Sequence, residues 1–345
     1  MKEYVSIKFR YAYFIASMLI VLMHTGGLQR SWSYGQDFSY NFVTLLVNLG
    51  IPALAWFFFS AGYFLFRDYD KDYTRLIKKK WKSLVIPYCI WNTIAYFWYR
   101  LVYDMLFTKA INISFKGLLS AYVTFFIPPN RVYRSADAGL WTVAMLFTLV
   151  VVSPVIHAVL CHKYSIIIII IAEILVVLGN VNVSSIFYWA PIYCMGSYMA
   201  LNWKNDMESW LDTKVSFNIR NIVLMCLACC IYVGCVCAYM LEIIPDSILR
   251  FVSPFLVLLC MKYVAIPTTI NSIFKNCSFF IYVTHGMILN VLIPLVYRSV
   301  RNSIPIILVF LIIYIVTCVS EFALYIGLRK ICPTKVASIS MGGRL

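Results

Sequence analysis

One histidine lies near the end of the first apolar run of the chain, the segment from Tyr11 to Gln29. A segment of this length fits the roughly 20 residues that a helix needs to cross a bilayer core of about 30 Å. His24 is the only side chain in it that titrates near neutral pH, and such a group is costly in hydrocarbon. The position therefore predicts a functional site in which a neutral imidazole accepts a proton. The structural alternative is a ring that is hydrogen-bonded to a neighbouring helix.

A second group of polar side chains lies in a later apolar run. His285 follows Tyr282 by three residues and Ser278 by seven, so a helix places them close together on its surface. This arrangement predicts a polar cavity or, equally, a histidine that only packs against its neighbours. Glu173 and Glu321 also lie in apolar runs and are expected to face the interior of a helix bundle, as functional or as protonated structural residues.

The densest charge cluster of the chain extends from Arg67 to Lys82. Clustered cations at a membrane surface attract a polyanion such as the nucleotide part of a coenzyme. The residues predicted to meet its phosphates and to stack on an adenine are Arg75, Lys78, Lys79, Lys80 and Trp81. The alternative is that the cluster only anchors the adjoining helices and attracts anionic lipid.

These side chains must be positioned by helices that cross a membrane. With 62% hydrophobic and 12% charged residues and a mean hydropathy of +0.83, the chain has too little polar surface for a soluble globule. The net charge of +15 resides mainly in short loops between apolar runs, which argues against nucleic-acid binding. The hydropathy predicts a single all-α domain over residues 1–345, a polytopic bundle of about ten transmembrane helices. The predicted spans are residues 11–29, 43–66, 83–107, 140–161, 164–180, 184–203, 219–241, 247–266, 273–297 and 304–328.

The distribution of basic residues orients this bundle. Placing both termini in the cytoplasm puts 20 of the 29 lysines and arginines on the inner side, and the opposite orientation puts nine there. The longest loop, residues 108–139, then faces outward. Its apolar residues between Phe115 and Phe126 predict a short amphipathic or re-entrant helix, followed by a turn at Pro128 and Pro129. A loop of this length is expected to act as a lid or a binding element.

Twelve cysteines are present, and most of them lie inside apolar runs, where they are expected to pack as small hydrophobic residues. The cysteine-rich segment CLACCIYVGCVC has no nearby histidine or acidic residue and no zinc-ligand spacing. Neither a metal site nor a disulfide framework is therefore predicted.

Several segments of the chain together resemble one known family. They are IASMLIVLMHT in the first predicted span, GIPALAWFFFSAGYFLF in the second, KKKWKSLVIPYCIWN leading into the third, GLWTVAMLF opening the fourth, FYWAPIYCMGSYMA in the sixth and CSFFIYVTHGMIL in the ninth. In this order, over nearly the whole chain, they resemble the acyltransferase 3 family. Its members are integral membrane O-acyltransferases that modify bacterial surface and secreted polysaccharides.

The resemblance implies an enzyme of the bacterial plasma (inner) membrane that transfers an acyl group, usually acetyl from acetyl-CoA, to a hydroxyl of a carbohydrate. It implies no permanently bound cofactor, and its partners would be acyl-CoA, a carbohydrate acceptor and the lipid bilayer. His24 matches the family's essential histidine and is the catalytic candidate. It would act either as the general base or as the nucleophile that carries the acyl group.

Two arginines of the family pattern are replaced in this chain. Eleven residues before its histidine the family has an arginine, where this chain has Tyr13, and Ala144 replaces the arginine of the fourth span. Arg10 lies within about 40° of the His24 face and roughly 21 Å away along a helix axis, so it is a candidate for binding a coenzyme phosphate from a shifted position. Because of these two replacements, a family member that binds a glycan without turnover remains an alternative.

A different class of function also fits these residues. A transporter or flippase for a glycan or a lipid-linked intermediate would use His24, His285, Glu173 and Glu321 as a proton relay. The sequence shows no internal repeat of the kind that marks many secondary transporters, which disfavours this alternative. Slow hydrolysis or exchange of acetyl-CoA by the purified protein would separate an enzyme from a carrier.

Overall fold

The structure, a computed structural model, describes residues 3–31, 38–70, 72–111, 113–123, 139–212, 218–264, 266, 272–300 and 304–343. These residues form helices and no β-strand, which confirms the all-α prediction for the described part of the chain. The α-helices are α1 Glu3–Thr25, α2 Phe38–Leu49, α3 Ala53–Arg67, α4 Tyr73–Lys80, α5 Ile86–Trp98, α6 Asp104–Phe107, α7 Phe115–Val123, α8 Trp141–Val151, α9 Ser153–Leu160, α10 Ser165–Leu178, α11 Ile186–Asn202, α12 Lys204–Leu211, α13 Ile219–Met240, α14 Asp246–Tyr263, α15 Ser272–Val300, α16 Ile306–Ile331 and α17 Thr334–Ser340.

Five helical segments of the described chain are long and apolar enough to cross a membrane. They are Glu3–Gln29, Phe38–Arg67, Ile219–Met240, Cys277–Val300 and Ile306–Ile331. A sixth is present if α8 and α9, which meet at an angle of 61°, form one broken span. The protein is therefore an integral membrane protein, whereas the count of ten spans and the orientation of the termini stay predictions.

Helix α1 is longer than the predicted span, because it begins at Glu3 instead of Tyr11. At its other end the chain tightens into a 3₁₀-helix, Gly26–Ser31, directly after Thr25. His24 lies in the last turn of α1, in keeping with its place near the end of the apolar run.

Helix α5 is preceded by a π-helical turn, Trp81–Val85, in which the N–H of Ile86 donates to the carbonyl of Trp81. Pro87 explains this turn, because proline has no N–H and its ring would clash with the carbonyl four residues earlier in a regular helix. A second π-helical turn, Tyr99–Tyr103, follows α5 without a proline. The break between α8 and α9 at Val152 likewise precedes a proline, at the second position of α9.

The chain divides into two compact units. Unit 1 comprises Met1–Ile20, Asn48–Lys71 and Val152–Ser278, and unit 2 comprises Val21–Val47, Asp72–Val151 and Phe279–Leu345. Some boundaries between the units lie in loops, whereas others lie within the long helices α1 and α15.

In unit 1, α3 and α11 approach each other closely at two glycines. A Cβ atom on Gly62 would lie 2.2 Å from the carbonyl oxygen of Tyr193, and one on Gly196 would lie 1.9 Å from that of Phe59. Any larger residue would push the two backbones apart. The same helices are also joined by aromatic packing, for example where the rings of Phe58 and Trp189 stack with their centroids 4.6 Å apart.

In unit 2, tryptophans of α5 fix the position of α15 and of the C-terminal helix. The indole N–H of Trp98 donates to a carbonyl of α15, that of Met287, at 2.9 Å. Trp91 contacts the Phe280 ring edge-on at 5.4 Å, and its N–H donates to the Ser340 carbonyl of α17 at 2.9 Å. These contacts hold α5, α15 and α17 together.

The loop of residues 108–139 contains a short helix, as predicted. Helix α7, Phe115–Val123, is held against α5 by the Asn92 amide, which donates to the Ala121 carbonyl, and by the Tyr96 hydroxyl, which donates to the carbonyl of Ser114 just before the helix. The predicted turn at Pro128 and Pro129 lies outside the described residues.

Candidate functional site

The two histidines that the sequence singles out lie side by side in unit 2. The rings of His24 on α1 and His285 on α15 have their centroids 5.0 Å apart and are inclined by 40°. His24 is exposed, whereas His285 retains only 1% of its accessible surface. The pair therefore combines one accessible imidazole with one that is enclosed by the protein.

The hydrogen bond of His285 fixes the position of its proton. The Nδ1 atom lies 3.1 Å from the carbonyl oxygen of Ile281, one turn earlier on α15. Because a carbonyl can only accept, this contact requires a proton on Nδ1. In the neutral ring the other nitrogen, Nε2, then keeps its lone pair and is the atom that can accept a proton or a hydrogen bond.

Tyr282 connects the histidine-bearing helix to the start of α8. Its hydroxyl donates to the carbonyl oxygen of Gly139 at 2.8 Å and is also hydrogen-bonded to the hydroxyl of Thr142. The Tyr282 and His285 rings are 6.0 Å apart. The structure thus brings Tyr282 and His285 together as the sequence predicts, and it adds Thr142, for which the sequence offers no signal beyond its place after Leu-Trp.

Ser278 takes part in a hydrogen bond through its backbone, and its predicted place in a polar cavity stays a prediction. The hydroxyl of Ser17 donates to the Ser278 carbonyl at 3.0 Å and to the Tyr13 carbonyl at 2.9 Å. Ser17 is seven residues before His24, so both lie on one face of α1, and Ser278 has the same spacing to His285. The spacing of Ser17 is a signal that the sequence reasoning did not use.

Comparison with families of known proteins gives a match over residues 10–326, to an acyltransferase domain. The chain belongs to the acyltransferase 3 family. Neither the curated proteins nor the solved structures contain a match to it. The predicted resemblance is confirmed over nearly the whole chain, including both histidines, and membership supports an acyltransferase role in general.

Tyr13, where the resemblance implied an arginine, belongs to an aromatic cluster. The ring of Tyr13 lies 5.3 Å from that of Phe57 and 6.4 and 6.5 Å from those of Trp56 and Phe64. Ala144, at the position of the second family arginine, is buried with 4% of its surface accessible. Both replacements are therefore accommodated by apolar packing.

The two membrane glutamates are buried, but in different units. Glu173 belongs to unit 1, and neither of its carboxylate oxygens has a hydrogen-bond partner among the described residues. Glu321 belongs to unit 2 and is fully buried on the face of α16 that also carries Thr317 and Tyr325. Their proposed membership of one polar cavity with His285 stays a prediction.

The predicted donor-binding residues of unit 2 are largely accessible. Helix α4 buries Leu76, while Arg75, Lys78 and Lys79 are exposed and Lys80 is partly so. Trp81 is 48% exposed and meets the Phe147 ring edge-on. Arg10, on α1, is exposed in unit 1. The assignment of these residues to a coenzyme stays a prediction.

Proposed function

We propose that this family member transfers an acetyl group from acetyl-CoA to a hydroxyl group of a carbohydrate that is displayed or exported by the cell. The bilayer would be the bacterial plasma membrane, crossed about ten times with both termini in the cytoplasm. Acetyl-CoA would enter at the inner end, where Arg10 and the Arg75 to Lys82 cluster meet its phosphates. The acceptor would enter from the outer side, below the loop of residues 108–139.

The observation that carries this proposal is the pairing of an exposed with a buried imidazole. The ring of His24 is accessible from outside the protein, so that a substrate can reach it, whereas the ring of His285 is enclosed. His24 is therefore the proton acceptor, and His285 is the positioning residue beside it.

The reaction follows from these roles. As His24 removes its proton, the acceptor hydroxyl oxygen attacks the thioester carbonyl carbon. A C–O bond forms, the C–S bond breaks, and the coenzyme leaves as a thiolate that recovers a proton. In the alternative order, a ring nitrogen of His24 attacks first and holds the acetyl group until the hydroxyl displaces it. Both orders need the same accessible ring.

Replacement of His24 tests the proposal. In a strain from which the gene is deleted, the wild-type gene should restore O-acetylation of the native glycan, measured by mass spectrometry. His24→Ala should lower it about 100- to 10,000-fold, the range expected when a general base is lost. Full acetylation by His24→Ala would refute the assignment.

A non-catalytic role is the second candidate, and the aromatic packing of Tyr13 at the family's arginine position favours it. A glycan-binding protein of this kind would bind the carbohydrate but would leave acetyl-CoA intact. Purified protein should therefore be incubated with acetyl-CoA labelled in the acetyl group. If the wild-type protein turns over acetyl-CoA and His24→Ala does not, the result supports an enzyme. If neither protein turns over acetyl-CoA, the result supports the binding role.

A further inference from the structure

Three rings at the C-terminal end of α3 form a flat aromatic surface in unit 1. The Tyr69 ring is parallel to the Phe66 ring within 1°, with 5.0 Å between centroids, and to the His157 ring within 11° at 4.7 Å. Phe66 and His157 are themselves parallel within 10°, at 6.2 Å. None of the functional roles described above involves these three residues.

The distances determine how the rings are arranged. If Tyr69 were stacked between the other two rings, Phe66 and His157 would be about 7 Å apart or more, which is twice the contact distance of about 3.5 Å between carbon atoms. The 6.2 Å between Phe66 and His157 is shorter than this, so these two rings lie side by side and Tyr69 covers parts of both. Phe66 is buried, whereas Tyr69 and His157 are partly exposed. The result is a stepped and partly exposed arrangement of three rings, here called the aromatic platform.

Three polar side chains lie on elements that form or adjoin the aromatic platform. The Tyr193 ring meets Phe66 edge-on at 6.4 Å, and its buried hydroxyl has no hydrogen-bond partner among the described residues. The Ser153 hydroxyl, one turn before His157 on α9, is buried and lacks a partner in the same sense. The Lys204 ammonium donates to the carbonyl of Arg67, the residue after Phe66, at 2.9 Å, and it also forms an ion pair with Asp68 at 3.3 Å.

We infer that the aromatic platform binds the purine base of a nucleotide, and, resting on the proposed function, that this is the adenine of the acyl-CoA donor. A flat base stacks on the accessible faces of Tyr69 and His157, as bases stack on aromatic side chains in nucleic-acid-binding proteins. The cation of Lys204 would exchange its ion pair with the exposed Asp68 carboxylate for a phosphate of the same nucleotide. The positive-inside rule puts the adjoining Arg67 to Lys82 segment in the cytoplasm, where such a donor is found.

Donors with and without the nucleotide provide the test. Tyr69→Ala and His157→Ala should each raise the KM for acetyl-CoA about tenfold, near the lower end of what losing one base–aromatic stack costs. The kcat and the KM for S-acetyl-pantetheine, which has no nucleotide, should not change. Tyr69→Phe should behave as the wild type, since the stacking ring is kept.

The chain offers a matched control in the neighbouring pair His162 and Tyr164. Their rings are 5.5 Å apart but inclined by 48°, so they form no flat surface. Tyr164→Ala should leave both KM values unchanged. If Tyr69→Ala raised the KM for acetyl-CoA and the KM for S-acetyl-pantetheine equally, or raised neither, the assignment of the platform to the acyl-CoA donor would be overturned.

Nucleotide binding is measured separately, so that the platform can be judged without turnover. Adenosine 3′,5′-bisphosphate should bind purified wild-type protein in calorimetry and bind Tyr69→Ala about tenfold more weakly. If the wild-type protein transferred no acetyl group but still bound the bisphosphate more tightly than Tyr69→Ala, the proposed function would be refuted and the base-binding site would stand. Absence of binding to the wild type would refute the site.

Discussion

At the residue scale, the roles of the two histidines follow from their surroundings. Each is an ordinary imidazole, yet one is open and the other is closed and held by the Ile281 carbonyl. In the proposed function, accessibility selects His24 for direct contact with a substrate. His285 would then act through its neighbour, as a positioning residue.

Substitution of His285 should separate this role from a purely structural one. His285→Leu should fold at least as stably as the wild type, because replacing a buried polar side chain by an apolar one of similar size is often neutral or stabilising. Its kcat should nevertheless fall about tenfold or more, with the KM for acetyl-CoA unchanged.

The conservative variant His285→Asn supplies the matching control, since its amide N–H can still donate to the Ile281 carbonyl. We expect it to recover part of the lost kcat. Thermal unfolding in detergent and steady-state kinetics measure these effects. A kcat for His285→Leu equal to that of the wild type would contradict the positioning role.

At the element scale, the packing of unit 1 depends on α3 and α11, each of which has a glycine at the point where the two helices meet. Gly62 and Gly196 place the backbones of α3 and α11 in contact, each against a carbonyl of the other helix. Small residues at helix interfaces are the common way for membrane helices to gain close packing, since the lipid offers no hydrophobic driving force between them. The aromatic platform at the end of α3 depends on the same packing.

Alanine at these glycines should destabilise the protein. Because the added Cβ would meet backbone atoms that have no room to move, Gly62→Ala and Gly196→Ala should each cost about 1–3 kcal/mol or more of unfolding free energy. Gly234 and Gly327 are matched controls, since a Cβ there meets nothing within 4 Å.

The control substitutions Gly234→Ala and Gly327→Ala should leave the stability unchanged or raise it by about 0.5–1 kcal/mol, as expected for alanine in a helix. Unfolding midpoints in one detergent compare all four variants. Equal midpoints for the interface and control variants would show that α3 and α11 are less closely packed than described.

At the scale of the whole molecule, charge and hydropathy determine how the chain enters the membrane. The basic residues between α3 and α5 form the densest cluster, and the connections expected to face outward hold few such residues. The positive-inside rule therefore predicts that the cluster stays in the cytoplasm.

Reporter fusions test this orientation. Alkaline phosphatase, which is active only outside the cytoplasm, should be active when fused after Lys109 or after Glu242 and inactive when fused after Lys163 or at the C-terminus. Fluorescence of a C-terminal green fluorescent protein should give the complementary result. An active phosphatase at the C-terminus would reverse the predicted topology.

The sequence by itself determined the helical class, the membrane setting, the family and the two histidines, because composition, hydrophobic period and motif order are all local properties of the chain. Only the tertiary structure decided that His24 and His285 meet, that one is open and the other closed, and that Thr142 joins Tyr282. Those facts depend on which helices are neighbours, and residues 24, 142 and 285 come together only through folding. The aromatic platform could likewise not be predicted from the sequence. His157 is about 90 residues from Phe66 and Tyr69, so the three rings come together only in the folded chain.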